Sequence, residues 1–286
     1  MIIFDWDGTA VPDRKTAMPV LDRVLEGLLS AGVYIAPVTG TNVDNLERQS
    51  LLNITPALRP GLFVCTNRGS EVFSYAPDGT RESRYLRQAS EAENRALTTG
   101  AEALQRTLRE RGLDTRIIYD RLNRRKVDLI PLPEWSAPPK AIITQLIAAT
   151  NARLAGAGYD GIGEVIRLAA SLAKTAGVED PRITSDGKYM ELGLTDKSDS
   201  VRWLLANVAK PNSIADDEIL IAGDEFGSIG GITGSDERMA LPELRGAPVV
   251  SVGAEPNGVP AGVQLLRGGP AMFLAILECQ LGVQNR

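Results

Sequence analysis

The chain has 286 residues, of which 43% are hydrophobic and 23% charged, and its net charge is −5. These values are ordinary for a globular protein, and the negative charge argues against a general binder of nucleic acid or membrane surfaces, which are polyanionic. The sequence contains no histidine and two cysteines. Serine–histidine and cysteine–histidine nucleophile systems, disulfide frameworks and zinc cages are therefore excluded.

The remaining chemistry must use carboxylates, lysines, hydroxyls, backbone amides and hard metal ions. The sequence shows neither a basic-then-apolar leader nor an apolar run of membrane-spanning length, so we expect a cytoplasmic location with no membrane or nucleic-acid partner. A chain of 286 residues is long for one domain and short for three. One large core with an insertion is the first expectation.

The first quarter of the chain alternates between short apolar runs and apolar residues at helical spacing. The predicted elements are strands at residues 2–4, 33–38 and 62–65, with helices at 20–29 and 43–52. This alternation is typical of a parallel sheet wrapped by helices.

The same pattern returns near the end of the chain. A helix is predicted over residues 198–208, followed by strands at 219–222, 249–252 and 263–266. The two ends together predict an α/β fold with a Rossmann-like parallel sheet.

The middle of the chain has a different texture, with a long charged amphipathic helix and short alternating strands. The predicted elements there are helices at 91–111 and 141–154 and strands at 117–119 and 126–132. Turn-rich stretches at 76–80 and 184–188 bracket this section. We therefore predict an inserted α+β domain over 77–187 and a catalytic core formed by 1–76 and 188–286.

Polar side chains follow several of the predicted strands, where an open α/β sheet binds its ligands. They are Asp5, Asp7, Thr39, Asp224 and Glu225, with Lys197 just before a helix and Asp236 beyond a glycine-rich loop. Carboxylates this close repel one another unless a cation lies among them. Oxygen ligands without histidine or thiolate suit Mg²⁺, which is the predicted cofactor.

A carboxylate can also act as a covalent nucleophile toward phosphorus and form an aspartyl-phosphate. Phosphoryl transfer requires neutralisation of the charge on the phosphate oxygens. The metal, Lys197 and the Thr39 hydroxyl could supply it.

Four short motifs resemble those of the haloacid dehalogenase superfamily, in the order that the family uses. Asp5-Trp6-Asp7-Gly8-Thr9 resembles its D-x-D-G-T signature, and Val38-Thr39-Gly40 is similar to its second motif. Lys197 resembles the third motif and Gly223-Asp224-Glu225 the fourth. The insertion between the second and third motifs resembles the C2-type cap of sugar-phosphate phosphatases, trehalose-phosphate phosphatase and phosphomannomutase.

The resemblance implies a role for each matching residue. Asp5 would be the nucleophile and Asp7 the general acid and base, while Thr39 and Lys197 hold the transferring phosphate. Mg²⁺ would be held by Asp5, the backbone carbonyl of Asp7 and Asp224. Further predicted contacts to phosphate or substrate are Gly8, Thr9, Gly40, Asn67 and, in the cap, Arg125.

One departure concerns the second acid of the fourth motif. Its usual position, four residues after Asp224, is occupied by Ser228. Glu225 is adjacent, and Asp236 follows a glycine-bearing loop at residues 226–234. Both alternatives stay open, and Asp236 is favoured as the last metal-site residue.

Several of these residues also have ordinary structural interpretations. Thr39 alone would more often be a helix N-cap, and Lys197 alone a solvated charge. The basic run at residues 121–126 fits either an anion grip or the outward face of a strand.

The sequence thus predicts a Mg²⁺-dependent phosphomonoesterase that acts on a small phosphorylated metabolite, a sugar or polyol phosphate. The alternative is a phosphomutase that uses the same intermediate. A non-enzymatic phospho-acceptor module is disfavoured, because such a module has no large cap and no need of Asp7.

Overall fold

The computed structural model describes residues 1–13, 15–136, 138, 142–228 and 233–284. The chain divides into two compact units. The first comprises Met1–Leu86, Asp196–Gly227 and Asp236–Arg286, and the second comprises Arg87–Thr195 and Ser228–Ser235.

The first unit alternates strands and helices at both ends of the chain, as the apolar periodicities predicted. Its strands are β1 (Ile2–Asp5), β2 (Ile35–Val38), β3 (Val64–Thr66), β4 (Glu71–Tyr75), β5 (Arg81–Leu86), β10 (Leu220–Gly223), β11 (Val249–Ser251) and β12 (Val263–Leu265). Its helices are α1 (Pro19–Ser30), α2 (Val43–Gln49), α6 (Lys197–Leu204) and α7 (Gly269–Gln284).

These strands form one sheet in the order β12-β11-β10-β1-β2-β3-β4-β5. The strands from β12 to β3 run parallel, and β4 and β5 extend the sheet as an antiparallel hairpin. Strand β1 lies between β10 and β2, so the start of the chain occupies the middle of the sheet. The α/β, Rossmann-like class predicted for the core is therefore confirmed.

Successive side chains of a strand point to opposite faces of a sheet. In the main sheet, both faces are buried under a hydrophobic cluster. Phe4 belongs to a cluster with Leu25 of α1 and Phe273 of α7. Ile3 belongs to a second cluster with Val201 and Leu204 of α6, the helix that follows β9 (Tyr189–Gly193). The two clusters make a helix–sheet–helix arrangement.

The second unit is an α+β structure. Its strands are β6 (Arg116–Arg121), β7 (Arg124–Asp128), β8 (Arg182–Ser185) and β9, and its helices are α3 (Glu91–Glu110), α4 (Ile143–Gly156) and α5 (Ile162–Thr175). The strands pair antiparallel in the order β6-β7-β9-β8. Val127, Met190 and Leu192 pack from the sheet against Leu104 and Val165 of the helices.

Both turn-rich stretches that bracket the predicted insertion lie at hairpin tips. Residues 76–80 connect β4 to β5, with the Ala76 amide donating to the Thr80 carbonyl at 2.9 Å. Residues 186–188 connect β8 to β9. Hairpin pairing therefore groups residues 77–86 with the first unit and 188–195 with the second. The interpretation of the second unit as an inserted cap stays a prediction.

Several predicted elements end earlier than expected. The strand predicted over 126–132 ends at Asp128, and the helix predicted over 43–52 ends at Gln49 before a short 3-10 turn. The helix predicted over 198–208 becomes α6 followed by a π-helical turn, Leu205–Ala209. Residue 141, where another helix was predicted to begin, and residues 229–232 of the glycine-bearing loop lie outside the described residues.

In the part of the chain that the structure describes, no helix combines the length and the hydropathy needed to cross a bilayer.

Candidate active site

Polar residues from neighbouring strands meet at the carboxyl edge of the main sheet, because parallel strands end on the same side. In the register of β1, Phe4 pairs with Ala222 of β10, and Asp5 pairs with Val38 of β2. Asp224 therefore follows β10 beside the end of β1, and Thr39 follows β2 on the other side. This is the edge at which the sequence placed the site.

Lys197 lies between two carboxylates at this edge. Its Nζ is 2.5 Å from Asp5 Oδ1 and 2.5 Å from Asp236 Oδ1. The three residues are buried, with Asp236 0% exposed. Lys197 is thus the cation that separates the predicted nucleophile from a second acid.

The electrostatic environment keeps Lys197 charged. Burial by itself lowers the pKa of a lysine, but the attraction of Asp236 and Asp5 and their hydrogen bonds outweigh it. The pKa of Lys197 is raised above its ordinary value. A protonated Lys197 can neutralise negative charge that arrives beside Asp5.

The residues after β1 form a tight turn. The Gly8 amide donates to the Val11 carbonyl at 2.7 Å, and Gly8 has a φ of 98°, which a glycine adopts without strain. The Thr9 hydroxyl is consequently turned back to the site, 3.2 Å from Asp224 Oδ1 and 3.5 Å from Asp5 Oδ2. Trp6 packs into the core, and its Nε1 donates to Gln49 Oε1 at 3.0 Å.

Asp236 closes the loop that follows β10. Its Oδ2 accepts the amides of Asp224 and Glu225, both at 2.8 Å, and its own amide donates to the Glu225 carbonyl at 3.0 Å. A Cβ on Gly223 would lie 2.4 Å from Asp236 Oδ2, so only glycine allows this approach. The Glu225 backbone thus takes part in this loop, and Asp236 brings its carboxylate to the cluster.

Three carboxylates among the described residues could share a metal ion. Asp5, Asp224 and Asp236 each offer an oxygen, and these oxygens lie within 4.8 Å of one another. Carboxylate oxygens without a nitrogen or sulfur ligand fit a hard cation such as Mg²⁺. The cluster therefore matches the chemistry of the predicted cofactor.

The loop after β2 is held by its own backbone. The Thr39 amide donates to the Cys65 carbonyl at 2.9 Å, and the Thr39 carbonyl accepts the Arg68 amide at 3.0 Å. Thr39 Oγ1 accepts the Thr41 amide at 3.2 Å. Thr39 and Gly40 therefore belong to a fixed turn that leads into α2.

Asn67 supports this turn from the neighbouring strand. Its amide donates to the Thr41 carbonyl at 3.0 Å, and its side chain donates to Glu71 Oε2 at 2.6 Å. Asn67, Arg68 and Gly69 have positive φ angles of 49°, 54° and 87°. The segment thus packs closely against the Thr39 loop, and the Asn67 side chain is held by Glu71.

Lys197 is positioned by the start of its helix. Asp196 is the N-cap of α6, and its carboxylate accepts the Ser198 amide at 2.8 Å, while Asp199 accepts the Asp196 amide at 2.8 Å. This capping box fixes the first turn of the helix. Gly69 lets the chain approach closely, since a Cβ there would lie 2.2 Å from the Asp196 carbonyl oxygen.

Arg125 lies on β7 of the second unit. Its guanidinium donates to Thr98 Oγ1 at 3.1 Å and to Asn94 Oδ1 at 3.3 Å, both on α3, and to the Arg124 carbonyl at 2.9 Å. It therefore lies on the helix side of its sheet, as a structural anchor. Its predicted contact with substrate stays a prediction.

Sequence reasoning missed two residues that follow β11, Gly253 and Glu255. Glu255 is buried and accepts the amides of Phe226 and Gly227 at 2.7 and 2.8 Å. A Cβ on Gly253 would lie 2.0 Å from the Asp224 carbonyl oxygen. Their position after a predicted strand was the available signal.

No protein-family model matches the sequence, and a comparison with curated proteins gives no match. Solved structures do match. IMP-bound, N-terminally truncated IMP-nucleotidase from Plasmodium falciparum has a TM-score of 0.60 at 14% identity, over 97% of this chain and 66% of that chain. Trehalose-6-phosphate phosphatase from Aspergillus fumigatus has a TM-score of 0.60 at 17% identity, over 99% of this chain and 92% of that chain.

The match extends over almost the whole chain, so both units have counterparts in these structures. The chain spans slightly less than two thirds of the nucleotidase chain, at 66%. At 14% and 17% identity the likeness establishes the fold. It confirms the fold that the four motifs predicted.

Proposed function

Because this chain has the fold of the haloacid dehalogenase-type phosphatases, we propose that it is a Mg²⁺-dependent phosphomonoesterase that acts through an aspartyl-phosphate on Asp5. The observation that carries the proposal is the contact of Lys197 with Asp5 and Asp236, at 2.5 Å each. This arrangement places a fixed positive charge beside a buried carboxylate. A nucleophilic carboxylate that receives a phosphoryl group needs such a charge.

In this proposal Asp5, Asp224, Asp236 and the backbone carbonyl of Asp7 hold the metal. Mg²⁺ would supply charge neutralisation for the phosphate oxygens. Support comes from the carboxylate oxygens of Asp5, Asp224 and Asp236, which lie within 4.8 Å of one another.

The residues of the chain then divide the reaction into two steps. A carboxylate oxygen of Asp5 attacks phosphorus, the ester P–O bond breaks, and Asp7 gives a proton to the leaving oxygen. Asp7 next removes a proton from a water molecule, which attacks phosphorus while the bond to Asp5 breaks. Lys197 and the Thr39 loop hold the phosphate through both steps.

The substrate class that we propose is the phosphate ester of a sugar or polyol. The similar structures are named as an IMP-nucleotidase and a trehalose-6-phosphate phosphatase. IMP and trehalose 6-phosphate are both phosphate esters of a sugar hydroxyl. Both names also describe hydrolysis, which favours a phosphatase over the alternative phosphomutase.

We further propose that the second unit is the cap that selects the substrate. By strand alternation, the sheet face opposite α3 and α5 carries Lys126, Glu191, Tyr189 and Thr184. Lys126 Nζ is 2.7 Å from Glu191 Oε1 and 4.6 Å from the centre of the Tyr189 ring. A face of charged and hydroxyl groups suits the hydrogen bonding of a polyol.

A panel of phosphorylated metabolites tests the function. Purified protein with Mg²⁺ is assayed for released phosphate on sugar phosphates, polyol phosphates, trehalose 6-phosphate and IMP. With amino-acid phosphates and a simple aryl phosphate added as comparison esters, we expect sugar and polyol esters to rank above amino-acid phosphates. We also expect chelation to abolish release. Full activity after exhaustive chelation, or no release from any ester, would contradict the proposal.

The same panel tests the cap. Lys126→Met should change the ranking of the sugar and polyol esters, with little change for a simple aryl phosphate that has no polyol to recognise. The control is Arg95→Met, because Arg95 is an exposed residue of α3. An unchanged ranking in Lys126→Met would argue against selection by this face.

A further inference from the structure

The segment that carries Asp224 is held by hydrogen bonds to side-chain carboxylates. Its four successive amides, Asp224 to Gly227, all donate to side-chain carboxylates. The first two donate to Asp236 Oδ2, and the next two donate to Glu255 Oε1 and Oε2 at 2.7 and 2.8 Å. Two buried acids thus fix four consecutive peptide units.

The two acids have different surroundings. Asp236 also contacts Lys197, so it belongs to the cluster itself. Glu255 accepts the amides of Phe226 and Gly227 and the hydroxyl of Ser251, which donates to Glu255 Oε1 at 2.7 Å. Glu255 therefore binds the backbone of the segment from the side of β11.

The backbone around Glu255 is shaped for this contact. Glu255 itself has a φ of 46°, in the left-handed region that costs energy for a residue with a side chain. A Cβ on Gly227 would lie 2.5 Å from Glu255 Oε2, and a Cβ on Gly253 would lie 2.0 Å from the Asp224 carbonyl oxygen. Residues 253–255 thus contact the segment at both of its ends.

We propose that Glu255 is a positioning residue for Asp224, and that it sets the affinity of the metal site by fixing the segment 224–227. The inference rests on the proposed function, in which Asp224 is a metal ligand. Hydrogen bonds at all four amides restrict rotation of these peptide units, so the position of the Asp224 backbone and the direction of its Cα–Cβ bond are held before the cation binds. Partners that orient metal ligands in this way typically change metal affinity by about 10- to 100-fold when they are removed.

This role requires a side chain with two acceptor oxygens at position 255, as glutamate has and glutamine lacks. Each oxygen accepts an amide, and Oε1 also accepts the Ser251 hydroxyl. In Glu255→Gln one of these oxygens becomes an NH₂ group, which faces a backbone N–H as donor against donor. The side chain keeps its size but loses one of the two ends that hold the segment.

Mn²⁺ binding is the direct test, with Mn²⁺ as the probe for the Mg²⁺ site. Free Mn²⁺ is measured by electron paramagnetic resonance on wild type, Glu255→Gln and the control Asp22→Asn, and amide hydrogen exchange is measured on the same three proteins. Asp22 is another buried carboxylate of the first unit, on α1, with hydrogen bonds from Ser50 and Asn53. The control makes the same carboxylate-to-amide change where no metal role is proposed.

We expect Glu255→Gln to raise the Mn²⁺ dissociation constant at least about tenfold and to speed exchange of the amides of 224–227. Asp22→Asn should lower the melting temperature and leave Mn²⁺ affinity unchanged. Wild-type affinity in folded Glu255→Gln would overturn the inference alone. A wild-type protein that binds no Mn²⁺ would overturn both the inference and the proposed metal site.

If Glu255→Gln does not fold, Ser251→Ala replaces it, since this change removes one donor to the carboxylate and leaves Glu255 in place. A smaller loss of Mn²⁺ affinity than tenfold, but larger than in Asp22→Asn, supports the positioning role. Affinity equal to that of wild type contradicts it.

Discussion

At the scale of single residues, Lys197 holds together groups that would otherwise repel. Asp5 and Asp236 approach the same Nζ, and all three side chains are buried. Removal of one partner from a buried ion pair leaves an uncompensated charge and costs about 3–5 kcal/mol. The stability of the chain and the charge of its site thus depend on the same lysine.

We therefore predict that Lys197→Met lowers the free energy of unfolding by about 3 kcal/mol in the presence of a chelator. The methionine fills a similar volume but leaves two buried carboxylates without a cation. Urea unfolding followed by circular dichroism measures the loss. The exposed Lys210→Met is the control, and an equal effect of the two changes would contradict the ion-pair account.

Residues with a motif or a strand end to mark them could be found from the sequence, and residues defined by contacts could not. Asp5, Thr39 and Asp224 follow predicted strands, and the structure brings them to one edge. Glu255 accepts amides nearly 30 residues away in the chain, and no local pattern encodes that pairing. For Arg125 the sequence pattern predicted a substrate contact, and the basic run did not reveal its hydrogen bond to Thr98 of α3.

At the scale of elements, the capping box of α6 connects stability to the site. Asp196 caps the helix whose first residue is Lys197. A second capping box, at Ser90, begins α3 in the other unit with the same reciprocal bonds to Glu93. The chain therefore contains its own matched comparison.

Asp196→Ala and Ser90→Ala should each lower the free energy of unfolding by about 1 kcal/mol, because each removes one N-cap. We expect Asp196→Ala alone to lower kcat on a common aryl phosphate, since the first turn of α6 positions Lys197. Thermal unfolding and steady-state kinetics measure the two effects. Equal kcat values in the two variants would contradict the link between the N-cap of α6 and the active site.

The strands and helices around the sheet were predictable because their apolar residues repeat at strand or helix spacing. The hairpins were not, because the turn residues at 76–80 and 184–188 give the same signal as a domain boundary. Helix α5 was missed, although its Val165, Ile166 and Ala169 pack into the core of the second unit. Turn residues identify a reversal of the chain, and only strand pairing shows which element continues after it.

At the scale of the whole molecule, the order of the strands explains why distant parts of the sequence share a site. Strand β1 lies between β2 and β10, so Asp5 at the end of β1 and Asp224 just after β10 lie at the ends of adjacent strands. The four motifs are far apart in the sequence, and the strand order brings their residues together. The same arrangement makes the central claim testable at one functional group, the Asp5 carboxylate.

The most direct test of the account is the capture of the phosphorylated intermediate. Protein is mixed with an aryl phosphate and Mg²⁺, quenched in acid during the first turnovers, and the peptides are identified by mass spectrometry. Asp7→Asn is measured in parallel, because an aryl leaving group needs little acid help whereas the second step still needs a base. We predict one added phosphoryl group on Asp5, with more of it in Asp7→Asn. Consumption of the ester with no phosphate on Asp5 in either protein, or undiminished turnover by Asp5→Asn, would contradict the account.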